Sequence, residues 1–599
     1  MKKVIFIAGL LITIIGYTLF SCKDNNLVPE KAIAQTLLKQ VDSFAFCKNK
    51  LLTAIEGGAA SEAELQQLFL QLRLSYKKIE WATEYFSPAT SRFVNGPPVE
   101  EIEMQGNQVS EPAGLQVAES FLFPEYDVSK KMELIQQLKN LQPACEQYKS
   151  YFANIDIFDW QVFDAAKLEV FRILTLGITG FDNPLTQQSM AESAASLKSL
   201  KHVLLYYTTA KADTGYLIIK FDAAMQYLKK NTDFNSFDRA AFITEFGNPI
   251  TIALSNLEQK LKIHVIKYNR LLNQDAKTLF DTNAFNVNAY APDQSAFITQ
   301  EKVALGKILF ADPILSGNQK RSCQSCHQPA KAFADGLVKN SIISSNRLLR
   351  RNTPTLLNSA LQPSLFYDLK VNTLEDQSLS VMQNKDEMHG SLKVSVGRLW
   401  KNKTYQKMFS NAFPKPNRSS IDTIEVINAL GSYVRSLVKL NSRFDEYMRG
   451  NKASMNTEEL NGFNLFMGKA KCATCHYMPL FNGTFPPRFI KIETEVIGVP
   501  LAREKKIIDG DMGRFELIKI ASLKHSFKTT TIRNAARTAP YMHNGVFSTL
   551  EQVVDFYSKG GGAGLGIQTG NQTLPFDKLN LTKKESKEII SFIKSLNSQ

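Results

Sequence analysis

Cys323-Gln324-Ser325-Cys326-His327 and Cys472-Ala473-Thr474-Cys475-His476 are two copies of one five-residue pattern. Two thiols at this spacing add to the vinyl groups of a porphyrin, and the adjoining His binds its iron, so each run reads as a c-type haem attachment. Cys and His are scarce, at 7 each in 599 residues. Chance placement would give on the order of 0.001 such runs. Two other readings compete. A zinc site needs its Cys and His pairs close enough to share one ion. A redox dithiol does not need His directly after the second Cys in both copies. Two covalent haem c groups are therefore the expectation.

Outward from these runs, the amino terminus carries Lys2 and Lys3, then an apolar stretch from Val4 to Phe20 that ends at Leu19-Phe20-Ser21-Cys22. This is the pattern of a bacterial lipoprotein signal over residues 1–22, with Cys22 as the lipidated first residue of the mature chain. The alternative is an uncleaved single-span anchor. Either exports the chain to the periplasmic side, lipid-anchored in the first case, which agrees with haem attachment outside the cytoplasm. No later stretch is long and apolar enough to span a bilayer, so the body is expected to be soluble. Cys47 and Cys145 remain; they could pair in an oxidising compartment or stay as buried thiols. The formal charge of +14 comes without a basic stripe interleaved with aromatics and without nucleic-acid motifs. It implies a solvated surface, suited to an anionic partner or membrane face, and no nucleic-acid partner is expected.

The fold class is mainly α. A helical amino-terminal domain (23–285) is expected, followed by two c-type cytochrome-like haem domains (286–454 and 455–599). Residues 29–280 are predicted as helices joined by short loops. Ser61 and Glu64 form a capping-box pattern, and Leu65, Leu68, Leu72 and Ile79 recur at helical spacing. Gly177, Gly180, Pro184 and Gly247-Asn248-Pro249 are predicted helix breaks. His202 and His264 are lone histidines on helical segments and read as structural. Gly114-Leu115-Gln116-Val117-Ala118-Glu119 resembles the Gly-x-His-x-x-Glu signature of imelysin-like helical domains. Gln116 stands where the His would be, so this supports helix and no metal site. The polar stretch Asp281–Ser295, with Pro292, marks the boundary. Beyond it each half carries one haem run, a duplication in outline divided near Ser454. Thr582 and Glu585 signal a last helix with Ile589, Phe592, Ile593 and Leu596 on one face.

From about Pro292 to Leu596 the chain resembles the bacterial di-haem cytochrome c peroxidase and MauG family. The resemblance rests on ordered blocks. These include Leu305-Gly306-Lys307-Ile308-Leu309-Phe310, Phe333-Ala334-Asp335-Gly336, Arg351-Asn352-Thr353-Pro354 and Leu365-Phe366-Tyr367-Asp368. After the second run come Ile532-Arg533-Asn534, Thr538-Ala539-Pro540-Tyr541-Met542-His543-Asn544-Gly545 and Thr549-Leu550-Glu551. A haem that activates peroxide needs an open iron face, a group that moves a proton between the peroxide oxygens, and a hydrogen-bonding amide. The resemblance implies Glu387 and Gln377 for the last two roles, with His327 and His476 as iron ligands. It implies Tyr367 where the family places a Trp between the haems as an electron bridge. It also implies a Ca²⁺ bound by the Asn352 side chain and the carbonyls of Thr538 and Pro540, oxygen donors that suit a hard cation.

Two departures stand out. The family's peroxidases carry a His after the first haem run that caps the first iron until reduction releases it. This chain has no His between Gln328 and Arg351. The first haem is thus expected to be open without activation, as in MauG-type members. At the second iron, the place of the usual Met falls on Tyr557, as in MauG. A phenolate stabilises ferric iron and lowers its potential relative to a thioether. Met542 and Met512 are the alternative ligands.

Three functions follow as expectations. The first is a peroxidase that reduces hydrogen peroxide to water with electrons from a small electron-donor protein such as a cytochrome c. The second is a MauG-like, peroxide-dependent oxidation of a partner protein. The third, not an enzyme, is a haem electron relay or redox sensor.

Overall fold

The computed structural model describes residues 28–103, 108–207, 215–575 and 577–599. The expected lipoprotein leader with Cys22 lies outside the described residues. No described helix is long and apolar enough to cross a membrane.

The amino-terminal region is an array of helices. They are α1 Pro29–Gly57, α2 Glu62–Lys77, α3 Glu80–Phe86, α4 Pro88–Asn95, α5 Leu115–Leu122, α6 Lys131–Asn154, α7 Asp159–Thr175, α8 Ser189–Leu204 and α9 Gly215–Lys230. A short antiparallel pair, β1 Glu101–Glu103 and β2 Gln108–Ser110, interrupts them. Ile33, Leu37, Val41, Phe44, Lys48, Leu51 and Ile55 recur every third or fourth residue and bury one stripe of α1 against α2 and α6. Ser61 accepts from the Glu64 N–H at 3.3 Å, so half of the expected capping box forms. Cys47 and Cys145 are free thiols, with no disulfide between them.

The interior of this array is partly ionic. Arg172 holds Asp182 through two bonds of 2.8 and 2.7 Å. Lys77 reaches Glu80 and Asp182, each at 2.7 Å. Burial pushes the Glu84 carboxyl up to about 7. Gln116 and Glu119 serve backbone here: Gln116 donates to the Asn95 carbonyl at 3.0 Å, and Glu119 accepts from the Thr186 N–H at 2.7 Å.

The expected break at Gly247-Asn248-Pro249 is absent. Helix α10 (Arg239–Ala241) passes through one π-helical turn, Phe242–Gly247, into α11 (Asn248–Lys260). Pro249 falls in the first turn of α11, where no N–H is needed. Gly247 lets Leu174 close in; a Cβ there would lie 2.6 Å from its side chain. Regular helix ends at Lys260, short of the expected limit near 280. Past it the chain folds on side-chain turns: Asp281 accepts from the Lys277 N–H at 2.8 Å and from the Thr278 hydroxyl at 2.6 Å. Asn and Asp compete with helix for such backbone partners. His264 lies in this loop rather than on a helix, and both it and His202 are exposed.

The remaining chain is built twice on one plan. In the first unit α12 (Gln300–Ala311) crosses α16 (Thr423–Arg435), with α13 (Leu374–Gln383), α14 (Leu392–Trp400) and α15 (Lys403–Ala412) between them. After α17 (Arg443–Met448), the second unit crosses α18 (Thr457–Met467) with α21 (Lys583–Ser595), enclosing α19 (Leu550–Ser558) and α20 (Gly561–Gly564). Each crossing is tight at one glycine. A Cβ on Gly306 would lie 1.9 Å from the Ala429 carbonyl, and one on Gly462 would lie 1.9 Å from the Glu588 carbonyl. In each unit an Asn at φ 61°, Asn358 and Asn534, opens a single helical turn. In each, a Thr then caps the next helix, Thr373 for α13 and Thr549 for α19. The expected capping box at Thr582 and Glu585 is complete.

The cores divide differently from the sequence order. The first unit has an apolar core of its own around Leu305, Leu309, Phe409, Val426 and Leu430. The second unit's core, around Phe444, Phe463, Phe481 and Phe592, is continuous with that of the amino-terminal helices. Polar contacts cross the same boundary: Asn248 Nδ2 donates to the Met448 carbonyl at 3.1 Å, and Arg92 pairs with Glu493 at 3.6 Å.

Candidate active site

Each haem run is a tight turn that presents its two thiols and its His together. The His327 N–H donates to the Cys323 carbonyl at 2.9 Å, and the His476 N–H to the Cys472 carbonyl at 2.9 Å. His327 Nδ1 donates to the Phe333 carbonyl at 3.0 Å, which fixes the tautomer and leaves Nε2 for a metal. His476 has the Phe481 and Thr530 carbonyls beside its ring, yet its Nδ1 makes no hydrogen bond within normal geometry. Burial lowers both imidazoles, His476 to about 4, so both are neutral, as metal ligation requires.

Burial raises the Cys323 thiol to about 12, Cys326 to about 11 and Cys472 to about 12, and it raises Cys475 well above its ordinary value. Redox-active cysteines are shifted the other way. Among the described residues no three His, Cys, Asp or Glu side chains gather to hold a metal ion. Paired half-buried thiols beside a neutral His fit thioether attachment of a porphyrin.

Near the first run, Glu387 is half-buried. Burial raises its carboxyl, while the Asn384 amide at 2.7 Å and the charges of Lys370 and Arg321 oppose the rise. Its charge is felt at Cys326, which puts it at the first haem turn. Arg321 holds the loop by donating to the Glu387 carbonyl at 3.2 Å. Gln377 sits on α13, half-buried, and its side-chain amide is engaged by no other described residue. His389 is exposed, and its backbone is at φ 47°.

Near the second run, Tyr557 is the last aromatic of α19. Burial raises its phenol, and Cys475, Cys472 and Glu495 lie close enough to act on it electrostatically. Tyr557 and Val381 stand at the same distance from their capping threonines, Thr549 and Thr373; Val553 and Gln377 correspond likewise. The sequence reading missed Glu495. Burial pushes it up to about 7, and it accepts from the Thr573 hydroxyl beside Cys475. No motif marks it: it reaches the site through the two-residue ladder of β3 (Thr494–Glu495) and β4 (Phe527–Lys528).

The junction between the units is polar. The Lys528 N–H donates to the Tyr367 carbonyl at 2.7 Å, and Lys528 Nζ to Gln362 at 2.8 Å. Burial raises the Tyr367 phenol. Arg351 bridges Asp511 at 2.7 Å and Asp368 at 2.6 Å. His543 stacks on Phe527 with centroids 3.8 Å apart and reaches Asp509 at 3.1 Å through Nε2. Asn352 uses its amide N–H groups on the Leu337 and Val338 carbonyls, at 2.8 and 3.3 Å. Its Oδ1 and the carbonyls of Thr538 and Pro540 accept no hydrogen bond among the described residues.

The sequence pattern of the family described as di-haem cytochrome c peroxidase matches residues 300–453. The methylamine utilization protein MauG of Methylorubrum extorquens is 32% identical over 302 residues, covering 50% of this chain and 80% of the relative. The cytochrome-c peroxidase IdrP1 of Pseudomonas sp. (strain SCT) is 33% identical over 364 residues, covering 55% and 91%.

This chain belongs to the di-haem cytochrome c peroxidase and MauG family.

It is therefore a di-haem oxidoreductase with two c-type haems. Cytochrome c551 peroxidase of Pseudomonas aeruginosa is 30% identical, covering 50% of this chain and 80% of the relative. A solved MauG-like protein associated with microbial copper homeostasis covers 51% of this chain and 92% of its own at 29% identity, with a TM-score of 0.46.

Proposed function

We propose that this family member reduces hydrogen peroxide at the first haem turn, using electrons that enter at the second. The balance is one peroxide, two electrons and two protons to two waters. When bound, the haem at Cys323–His327 supplies the iron that meets the peroxide; everything else asked of the site falls to side chains. His327, pinned through Nδ1, offers Nε2 to the iron. Glu387 accepts the proton from one peroxide oxygen and returns it to the other. Burial suits it for this by raising its proton affinity toward the working pH. The uncommitted Gln377 amide orients the peroxide. Tyr367, at the junction, lies on the route between the haems, and Tyr557 is the second iron's other ligand. Asn352, Thr538 and Pro540 hold Ca²⁺ through their three unengaged oxygens. The division into 23–285, 286–454 and 455–599, export through residues 1–22 and anchoring by lipidated Cys22 belong to the same proposal. The partner is a small electron-donor protein, such as a cytochrome c.

The observation that carries this reading is the half-buried Glu387 beside Cys326, in a chain with no His from 328 to 350. Glu387→Gln tests it: peroxide consumption should collapse while both haems stay attached. Undiminished consumption sinks the assigned role.

A second reading, MauG-like oxidation of a partner protein, is favoured by Tyr557 beside Cys472 and Cys475. Turnover with reduced small cytochrome c separates the two. Rapid turnover supports the peroxidase, and a long-lived oxidised form with poor turnover supports the modifying enzyme.

A further inference from the structure

The amino-terminal helices place a buried cation against Gly468, four residues before the second haem turn. Arg239 is 0% exposed. Its guanidinium donates to three backbone carbonyls, of Ile178 at 2.9 Å, Phe237 at 3.0 Å and Phe234 at 2.8 Å. The Phe234 ring centroid lies 4.6 Å from its central carbon. Its side-chain hydrogen bonds among the described residues all go to backbone, none to a carboxylate. An arginine keeps its charge in proteins, so this is a full positive charge held by carbonyl dipoles and the faces of Phe234 and Phe237, with the Asp233 and Asp238 carboxylates near enough to act on it electrostatically. Such a placement is costly, and Arg239 lies where α10 meets the second unit.

The contact is close. A Cβ on Gly468 would lie 2.6 Å from the guanidinium carbon. The Gly468 carbonyl in turn accepts from the Lys471 N–H at 2.8 Å, directly before Cys472. The dock is fixed from the other side by Asn464, whose Oδ1 accepts from the Arg239 and Ala240 N–H groups at 2.9 and 3.1 Å. Asn464 Nδ2 donates to Asp238 at 3.0 Å.

We propose that Arg239 raises the reduction potential of the second haem, making the amino-terminal helices part of that haem's electrostatic environment. Reduction adds one electron to the iron and makes or breaks no bond. A fixed cation nearby stabilises the reduced form over the oxidised one, and low local polarity keeps the effect strong. Because the charge is buried, salt screens it little. The effect opposes that of an anionic ligand such as Tyr557 and keeps the second haem reducible by a donor. It rests on a haem at Cys472–His476, which family membership provides, and not on the assignment of Glu387.

Spectroelectrochemical titration of the holoprotein tests it, reading each haem separately. Arg239→Gln should shift the second haem to a more negative midpoint at both low and high salt and leave the first unchanged. Arg239→Lys should recover most of the shift. Asn464→Ala loosens the same dock without removing charge, so it should lower thermal stability and leave both potentials in place. A folded, haem-loaded Arg239→Gln protein with an unchanged second midpoint overturns the proposal. So does an Asn464→Ala shift as large as that of Arg239→Gln, or an equal shift at both haems. Should Arg239→Gln not fold, Gly468→Ala decides. Its added methyl pushes the guanidinium away and should lower the second midpoint alone; no change overturns the proposal.

Discussion

The two haem units share a plan and differ in what surrounds it. Both cross two helices at a glycine, both set an Asn at φ 61°, and both cap the following helix with Thr. On that capped helix, α13 carries Gln377 and Val381 where α19 carries Val553 and Tyr557. The first unit thus has a polar amide one turn in and an aliphatic residue further along; the second has the reverse with an aromatic. The first unit keeps a core to itself, whereas the second merges its core with the amino-terminal helices. One scaffold is thus repeated with different residues along the same capped helix and with only one unit's core merged into a neighbour.

The largest effect expected from breaking this contrast is at Glu387. Glu387→Gln should cost roughly 10²- to 10⁴-fold in peroxide turnover, the usual worth of a positioned acid–base group, and leave the second haem's spectrum unchanged. Next comes Tyr557→Met. It should raise the second haem's midpoint potential, because a thioether stabilises ferric iron less than a phenolate, and should leave peroxide binding at the first haem intact. An unchanged potential would show that Tyr557 is no ligand.

The cores give a third, smaller contrast. Gly306→Ala and Gly462→Ala each force a methyl onto a backbone carbonyl, at a cost of about 1–3 kcal/mol. Hydrogen exchange should localise the loosening to residues 300–437 in the first case. In the second it should spread into the amino-terminal helices. Identical patterns would mean the cores are not separate. The smallest effect is on pH dependence. The Asn384 bond holds the Glu387 proton affinity down, and Glu387 must be ionised to accept a proton. Asn384→Ala should therefore move the acid limb of the activity profile to higher pH. A shift to lower pH would contradict the sign.

Much of this was legible in the sequence because its chemistry is local. The Cys-x-x-Cys-His runs, the Thr582 cap and the Leu65, Leu68 and Leu72 stripe of α2 each sit within a few residues of one another. What was hidden depended on distant contacts. Glu495 comes to Cys475 only through the β3–β4 ladder. Arg239 meets Gly468 only because two helices dock. The helix through Gly247 and Pro249 survives because a π-helical turn absorbs what local rules read as a break. The early end at Lys260 reflects the Asn and Asp turns that follow, a competition the apolar spacing did not register.

The most direct test of an open first haem beside Glu387 and a ligated second one is the electron paramagnetic resonance spectrum of the untreated ferric protein. One high-spin and one low-spin signal, with the high-spin signal altered by adding a small anionic ligand, is the expected result. Two six-coordinate low-spin haems would contradict it.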